Sequence, residues 1–207
     1  MNEAFFELPP EKQQRIMNAG FEVFSQNEYK RASTDEIAAR SNISKGLLFY
    51  YFHNKKTLYL YLFEKAMEIM TEGVVTQQYK SITDFFEMCE YAALQKQQIL
   101  EKSPYLMDFL ARAFYSQREE VSAELNERLT QLMMSMYTDF MGNVDRSKFK
   151  PGVDPEEILR MLSWLGDGYL HENQRLGQKM NIEESMRQYR KWTAIIREAT
   201  YREEYNP

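Results

Sequence analysis

Apolar residues recur at three- and four-residue intervals along most of this 207-residue chain, and no stretch alternates long enough to draw a convincing strand. The pattern predicts an all-α protein. A first helix is expected to open after Pro9 and Pro10, since proline is tolerated in an opening turn. It should run through Phe24, with Ile16, Ala19, Gly20, Val23 and Phe24 on one side. Two short helices follow. Ser33 can cap the first, with Glu36 three residues later in capping-box spacing, and that helix reaches about Ser41. Asn42 and Ile43 make a tight turn, and Ser44 caps a helix with Lys45 and Gly46 in its first turn. Asn54 can cap a fourth helix that runs uninterrupted to about Gly73 and carries Leu58, Tyr61, Leu62, Lys65 and Ile69.

Five more helical patterns bring the expected total to about nine. Ser81 to Leu100 carries a stripe of Ile82, Phe85, Phe86, Cys89, Ala92 and Ala93. Ser103 and Pro104 read as the cap and first residue of a short apolar helix ending at Tyr115. From Glu119 to Met141, Val121, Leu125, Leu129, Leu132, Met136 and Phe140 repeat with helical period, after which Asp145 to Gly152 reads as a loop. Asp154 and Pro155 open a helix to about Gly177, and Asn181 to Glu184 open the last, ending near Glu203. The expected division is a three-helix head, residues 1–53, joined to a larger helical body, residues 54–207.

At about 100° per residue, Leu48 and Phe52 fall on an inward face with Ile37, Ala38 and Ile43, leaving Gly46, Leu47, Tyr50 and His53 to point outward. Aromatics on an outer face beside a cationic helix start suit a DNA major groove, about 12 Å wide, where the first residues of a helix meet base edges. Charge alters the picture in the same direction. The chain has a formal net charge of −5, yet Tyr29 to Lys56 holds six Lys or Arg against Asp35 and Glu36. Residues 1–60 carry eight basic and seven acidic groups and the remainder eighteen and twenty-four, so a polyanion would meet this molecule head first.

The segment from about Lys12 to Leu62 closely resembles the N-terminal domain of the tetracycline-repressor (TetR) family. Thr34-Asp35-Glu36-Ile37-Ala38, Ser44-Lys45-Gly46, Phe52 and Asn54-Lys55-Lys56 carry the likeness. The resemblance implies a helix-turn-helix head and a double-stranded DNA operator as partner. With the outward face, it gives a candidate DNA-binding set of Ser33, Thr34, Ser44, Lys45, Gly46, Leu47, Phe49, Tyr50, Tyr51, His53 and Lys55. The family usually has tyrosine where this chain has Phe49. One expected phosphate contact therefore lacks its hydroxyl unless Tyr50 or Tyr51 replaces it.

One head would reach few base pairs, and phosphate contacts alone bind weakly, so specific regulation calls for a homodimer on a palindromic operator. The last two helices are the expected interface, as the resemblance also implies, through Ile158, Leu162, Leu165, Gly166, Tyr169, Tyr189, Thr193 and Ile196. Gly166 and Gly168 within a helix fit close approach of another helix. A small-molecule effector pocket in the body is usual in the family. Its expected lining is Phe86, Met88, Tyr91, Met107, Phe109, Phe114, Met133, Tyr137 and Trp164, adaptable and flat groups suited to an apolar or aromatic ligand. Asp108 and Asp167 are candidates to pair with a cationic ligand or with an internal arginine such as Arg112. The expected function is a repressor released by its effector, with the uninterrupted fourth helix carrying the change to the head.

A helical adaptor without DNA specificity is the alternative, and a helical enzyme a further one. Neither His53 nor His171 has a glutamate at the three-residue spacing of helical metal sites, and no phosphate loop, nucleophile elbow or zinc motif is present. No catalytic residue, metal or cofactor is expected. Cys89 is the only cysteine and reads as a small core residue. No apolar run approaches the roughly 18 residues that span a bilayer, and the N-terminus shows no secretory pattern, so the cytoplasm is the expected compartment.

Overall fold

The computed structural model describes residues 1–103, 105–115, 120–178 and 181–206. Among them are ten α-helices: α1 (Pro10–Gln26), α2 (Thr34–Arg40), α3 (Lys45–Phe52), α4 (Lys55–Val74), α5 (Gln77–Ser81), α6 (Phe85–Lys102), α7 (Leu106–Tyr115), α8 (Ser122–Gly142), α9 (Pro155–Arg175) and α10 (Ile182–Thr200). No strand occurs among the described residues, only an isolated bridge between Phe149 and Tyr201. The tenth helix is α5, absent from the sequence-based expectation. Thr76 caps it, accepting from the Tyr79 N–H, whereas Ser81, the expected start of the next helical stretch, is its last residue. The longer α6 starts later, where Asp84 accepts from the N–H groups of Phe86 and Glu87 at 3.0 Å. Pro104 and Glu119, expected at two helix starts, lie outside the described residues.

The chain forms two compact units, Met1–Met70 with Lys102–Gln131, and Thr71–Glu101 with Leu132–Pro207. The first thus holds α1 to α3, most of α4, α7 and the first half of α8. Ile16, Phe24, Ile37, Leu48, Phe52, Leu58 and Leu62 are almost completely buried in it. A Cβ on Gly20 would stand 2.5 Å from Leu62 Cδ1, so α1 and α4 cross too closely for any other residue without a shift of the leucine. Leu106, Phe109, Leu110 and Ala113 of α7 are buried at helical spacing, and Phe109 places its ring 5.2 Å from Phe21 and 5.3 Å from Tyr59. Phe109 therefore completes the head's core instead of lining an effector pocket.

The second unit is built around Phe85, Phe86, Phe140, Phe149 and Tyr201. Tyr201 lies 4.9 Å from Phe86 and 4.8 Å from Phe149, ring to ring, and its hydroxyl accepts from the Phe85 N–H at 3.2 Å. Phe149 explains why the expected loop at 145–152 is not merely a loop. It is 3% exposed, and the chain on either side of it pairs with the end of α10 through Lys150 N–H to Thr200 O and Arg202 N–H to Lys148 O. Cys89 is buried, as its place on the α6 stripe leads one to expect.

Candidate nucleic-acid interface

The head builds its outer face by capping. Ser33 Oγ accepts from the Glu36 N–H at 3.4 Å, and Ser44 Oγ accepts from the Leu47 N–H at 3.1 Å, which starts α2 and α3 where the sequence places them. The capping box is only half made, because the Glu36 carboxylate is taken by Arg40. Asn42 turns the chain with φ 54°, a left-handed conformation asparagine tolerates, and His53 closes α3 at φ 60°. With Leu48 and Phe52 fully buried, the opposite side of α3 is presented: Ser44, Lys45, Gly46, Tyr50 and His53 are exposed, and Leu47 and Phe49 half-buried. Ser33 and Thr34, at the start of α2, are also half-buried.

Two of the expected contact residues are placed elsewhere. Tyr51 is 5% exposed, its ring 5.9 Å from Phe5, and its carbonyl accepts from the Asn2 N–H, so it does not share the face of Tyr50. Of the two tyrosines weighed as substitutes for the hydroxyl missing at Phe49, only Tyr50 is exposed. Lys55 turns back into the head, where its ammonium donates to the carbonyls of Tyr29, Lys30 and Ala32 at 2.8, 3.1 and 3.2 Å and lies 4.7 Å from the Tyr29 ring centre. It staples the α1–α2 connection. Periodicity gives no sign of this, since the three carbonyls are brought to Lys55 only by the fold.

The positive stripe is also compensated from outside itself. Lys45 pairs with Asp35 at 2.8 Å, both well exposed. Arg31 faces Glu28, Lys56 pairs with Glu124 at 2.6 Å, and Arg40 is held by Glu22 and Glu36. The Glu22 hydrogen bond raises the Arg40 pKa, and the same contact lowers that of Glu22. Counting charges between Tyr29 and Lys56 alone therefore overstates the field, because Glu22, Glu28 and Glu124 lie beyond those limits. An open groove of about 440 Å³ between α1, the end of α2 and Tyr105 mixes Glu11 and Glu22 with Arg15 and Arg40, which gives it no single sign.

The expected body residues are dispersed. Met107, Phe109 and Phe114 belong to the first unit, Phe114 standing 6.2 Å from Phe63. Phe86 and Met88 are core of the second unit, with Tyr91 and Tyr137 packed against it. Met133 and Trp164 are 49% and 63% exposed. Arg112 donates to the Ser25 carbonyl, and Asp108 is exposed. Of the expected interface, Ile158 and Leu162 are buried core, Tyr189 and Ile196 pack on that core, Tyr169 meets Trp192 at 5.8 Å, and Thr193 Oγ1 donates to carbonyls of its own helix. Leu165 and Gly166 remain accessible, beside Met161, Trp164 and Gly168, and a Cβ on either glycine would meet nothing within 4 Å. Among the described residues no group of three or more His, Cys, Asp or Glu could hold a metal, and no helix is long and apolar enough to cross a membrane.

Residues 16–62 match the family described as bacterial regulatory proteins, tetR family. The HTH-type transcriptional activator FasR of Mycolicibacterium smegmatis is 34% identical over 74 residues, 36% of this chain and 33% of that protein. The chain spans between a third and about half the length of the curated relatives it matches. A TetR family transcriptional regulator from Chloroflexus aurantiacus superposes with a TM-score of 0.64 at 22% identity, over 97% of this chain and 98% of that one. SmeT, the repressor of the Stenotrophomonas maltophilia multidrug efflux pump SmeDEF, does so at 0.67 and 17%, over 92% and 90%. At these identities the structural likeness is one of fold.

Proposed function

We propose that this chain, whose residues 16–62 match the tetR family of bacterial regulatory proteins, is a transcriptional regulator of that family that binds a palindromic double-stranded operator as a homodimer. The outer side of α3 carries the reading. Tyr50 is 54% exposed on a helix whose opposite side is sealed, beside exposed Ser44, Lys45 and Gly46. Glycine within a helix costs roughly 1 kcal/mol relative to alanine. A Cβ on Gly46 would meet nothing nearer than Ser44 Oγ at 3.9 Å, so nothing in the chain requires glycine there. A DNA strand lying against the start of α3 supplies that requirement. Acting on chromosomal operators places the protein in the cytoplasm, and no catalytic step is involved.

Pairing of two chains is supported by the outer side of α9, where Met161, Trp164 and Leu165 are exposed with the bare backbone of Gly166 and Gly168, and by Ile195 on α10, 65% exposed. Contiguous large apolar groups in water mark an association surface. The regulator acts as a repressor that a small apolar or aromatic molecule releases; SmeT, which shares the fold, is itself a repressor. Selection of bound duplexes from a random pool, followed by anisotropy titration across salt concentrations, tests the proposal. The expected result is one palindromic motif whose half-sites lie one helical turn or a multiple apart, bound with steep salt dependence. Equal retention of every duplex, or of none, overturns it in favour of an adaptor.

A further inference from the structure

Which bases a helix accepts in the major groove depends on what its outer side can offer them, and α3 offers almost nothing that is polar. Lys45 to Phe52 reads Lys-Gly-Leu-Leu-Phe-Tyr-Tyr-Phe, without Arg, Asn, Gln, Asp or Glu. Those side chains are the ones that bond guanine or adenine in pairs, or accept from cytosine. The polar groups at the helix start are engaged with their neighbours. Ser44 Oγ accepts from the Leu47 N–H at 3.1 Å, and the Lys45 ammonium pairs with Asp35 at 2.8 Å and lies 6.0 Å from the Phe49 ring centre.

What turns outward beyond them is apolar or phenolic. Tyr50 is more than half exposed, and its ring is propped edge-on, at 5.6 Å, against that of Tyr51, which is buried. Leu47, half-buried, stands three residues before Tyr50, and Gly46 leaves open space beside them. Residues three apart on a helix have Cβ atoms about 5–6 Å apart, against a rise of about 3.4 Å per base pair, so Leu47 and Tyr50 reach bases one or two steps apart. Every base pair shows donors and acceptors in the major groove, but thymine alone adds an apolar group, its C5-methyl. Leucine or a ring pressed on polar atoms strips their water and returns no hydrogen bond. Pressed on a methyl, the same groups remove apolar surface from water.

We propose that Leu47 and Tyr50 select each operator half-site by the C5-methyl groups of two thymines one or two base steps apart, with Gly46 letting the base edges approach the helix backbone. This rests on the reading of α3 as the helix that meets DNA, and it specifies the base chemistry that helix takes.

The full chain first selects duplexes from a random pool, and the selected motif is then resynthesised with uracil in place of thymine, one symmetric pair of positions at a time. Uracil keeps the hydrogen-bonding edge and loses only the methyl. A buried methyl is worth about fourfold in affinity, so its loss from both half-sites should weaken binding about fifteenfold at two of the positions. Tyr50→Ala and Leu47→Ala should each abolish the thymine–uracil difference at one of those positions and leave it at the other, a pairing that a merely structural role would not produce. Tyr50 lies outside the core, so its variant keeps the test in force should Leu47→Ala lower the melting temperature. A motif without thymine in its half-sites, a change below about twofold with uracil at every position, or a difference that survives in both variants overturns the methyl reading and leaves the regulator standing. Failure to select any motif overturns the regulator reading and this one with it.

Discussion

The first unit exposes large apolar side chains at Phe6, Tyr50 and Tyr105, whereas the second exposes Met133, Met134, Met161, Trp164, Leu165, Leu176, Ile195 and Tyr205. Their charges differ in the opposite sense. The first unit keeps its ion pairs at the surface, and the second buries one, Lys148 with Asp84 at 2.8 Å, the aspartate side chain only 4% exposed. A surface of exchangeable ion pairs suits a polyanion, because phosphates can replace carboxylates at little cost. An apolar surface suits a partner that removes it from water. On the proposed reading, DNA meets the first unit at its charged surface, and another copy of the chain covers the apolar surface of the second.

The sharpest way to break this contrast is to charge the apolar surface. Trp164→Glu should convert the dimer to a monomer at micromolar concentration in sedimentation, and weaken operator binding about 100-fold or more, since tryptophans dominate interface energies and a symmetric contact is lost twice. A monomeric unmodified protein, or a Trp164→Glu dimer with full operator affinity, would remove the basis of the comparison.

The buried pair gives the next largest effect. Asp84→Ala should cost about 3 kcal/mol in urea unfolding, because it strands Lys148 and removes the cap of α6. Burial opposes the charged form of Asp84, but the Lys148 ammonium and the Glu87 N–H outweigh it and leave the pKa below the ordinary carboxylate value. The stabilisation is therefore fully present above the ordinary carboxylate range and is lost as pH falls through the depressed folded pKa. Asp84→Asn should flatten both sides of the stability profile, the acid side that Asp84 sets and the loss at alkaline pH through Lys148, whose pKa is raised by the same contact.

What the sequence made legible follows from how local each signal is. The α2–turn–α3 segment was readable because its caps, its turn asparagine and its 3.6-residue period are all settled within about 20 residues of chain. The side of α9 that faces outward was not. Ile158 and Leu162 follow the same period as Met161, Trp164 and Leu165, and periodicity cannot say which apolar side meets the chain's own core. Lys55 and Phe149 escaped for a related reason: the carbonyls that engage Lys55 are more than 20 residues away, and the bridge partner of Phe149 is Tyr201. Phe109 lies in the stretch that the sequence assigns to the body, yet it packs on Phe21 of α1, a partner that local periodicity does not reveal.

Within the head, Lys55 and Lys45 separate structural from DNA-facing cations. Lys55→Ala should lower head stability by about 1–2 kcal/mol, through the lost charged hydrogen bonds to three carbonyls. The slope of operator affinity against salt should barely change. A fall in that slope with unchanged melting temperature would return Lys55 to the DNA contacts.

The smallest effect is the most discriminating. Lys45 enters the complex already paired with Asp35, so its phosphate contact displaces a carboxylate as well as a counterion. Asp35→Asn removes that competitor without removing the cation. It should leave stability almost unaltered, as exposed pairs are worth little, while raising operator affinity and steepening its salt dependence by up to about one unit. Lys45→Ala should do the reverse, and in the double variant the Asp35 effect should vanish, because its only route to the DNA ran through the lysine. If Asp35→Asn instead weakens binding, the carboxylate is orienting Lys45 rather than competing for it, and the ion pairs of the head are part of the recognition surface.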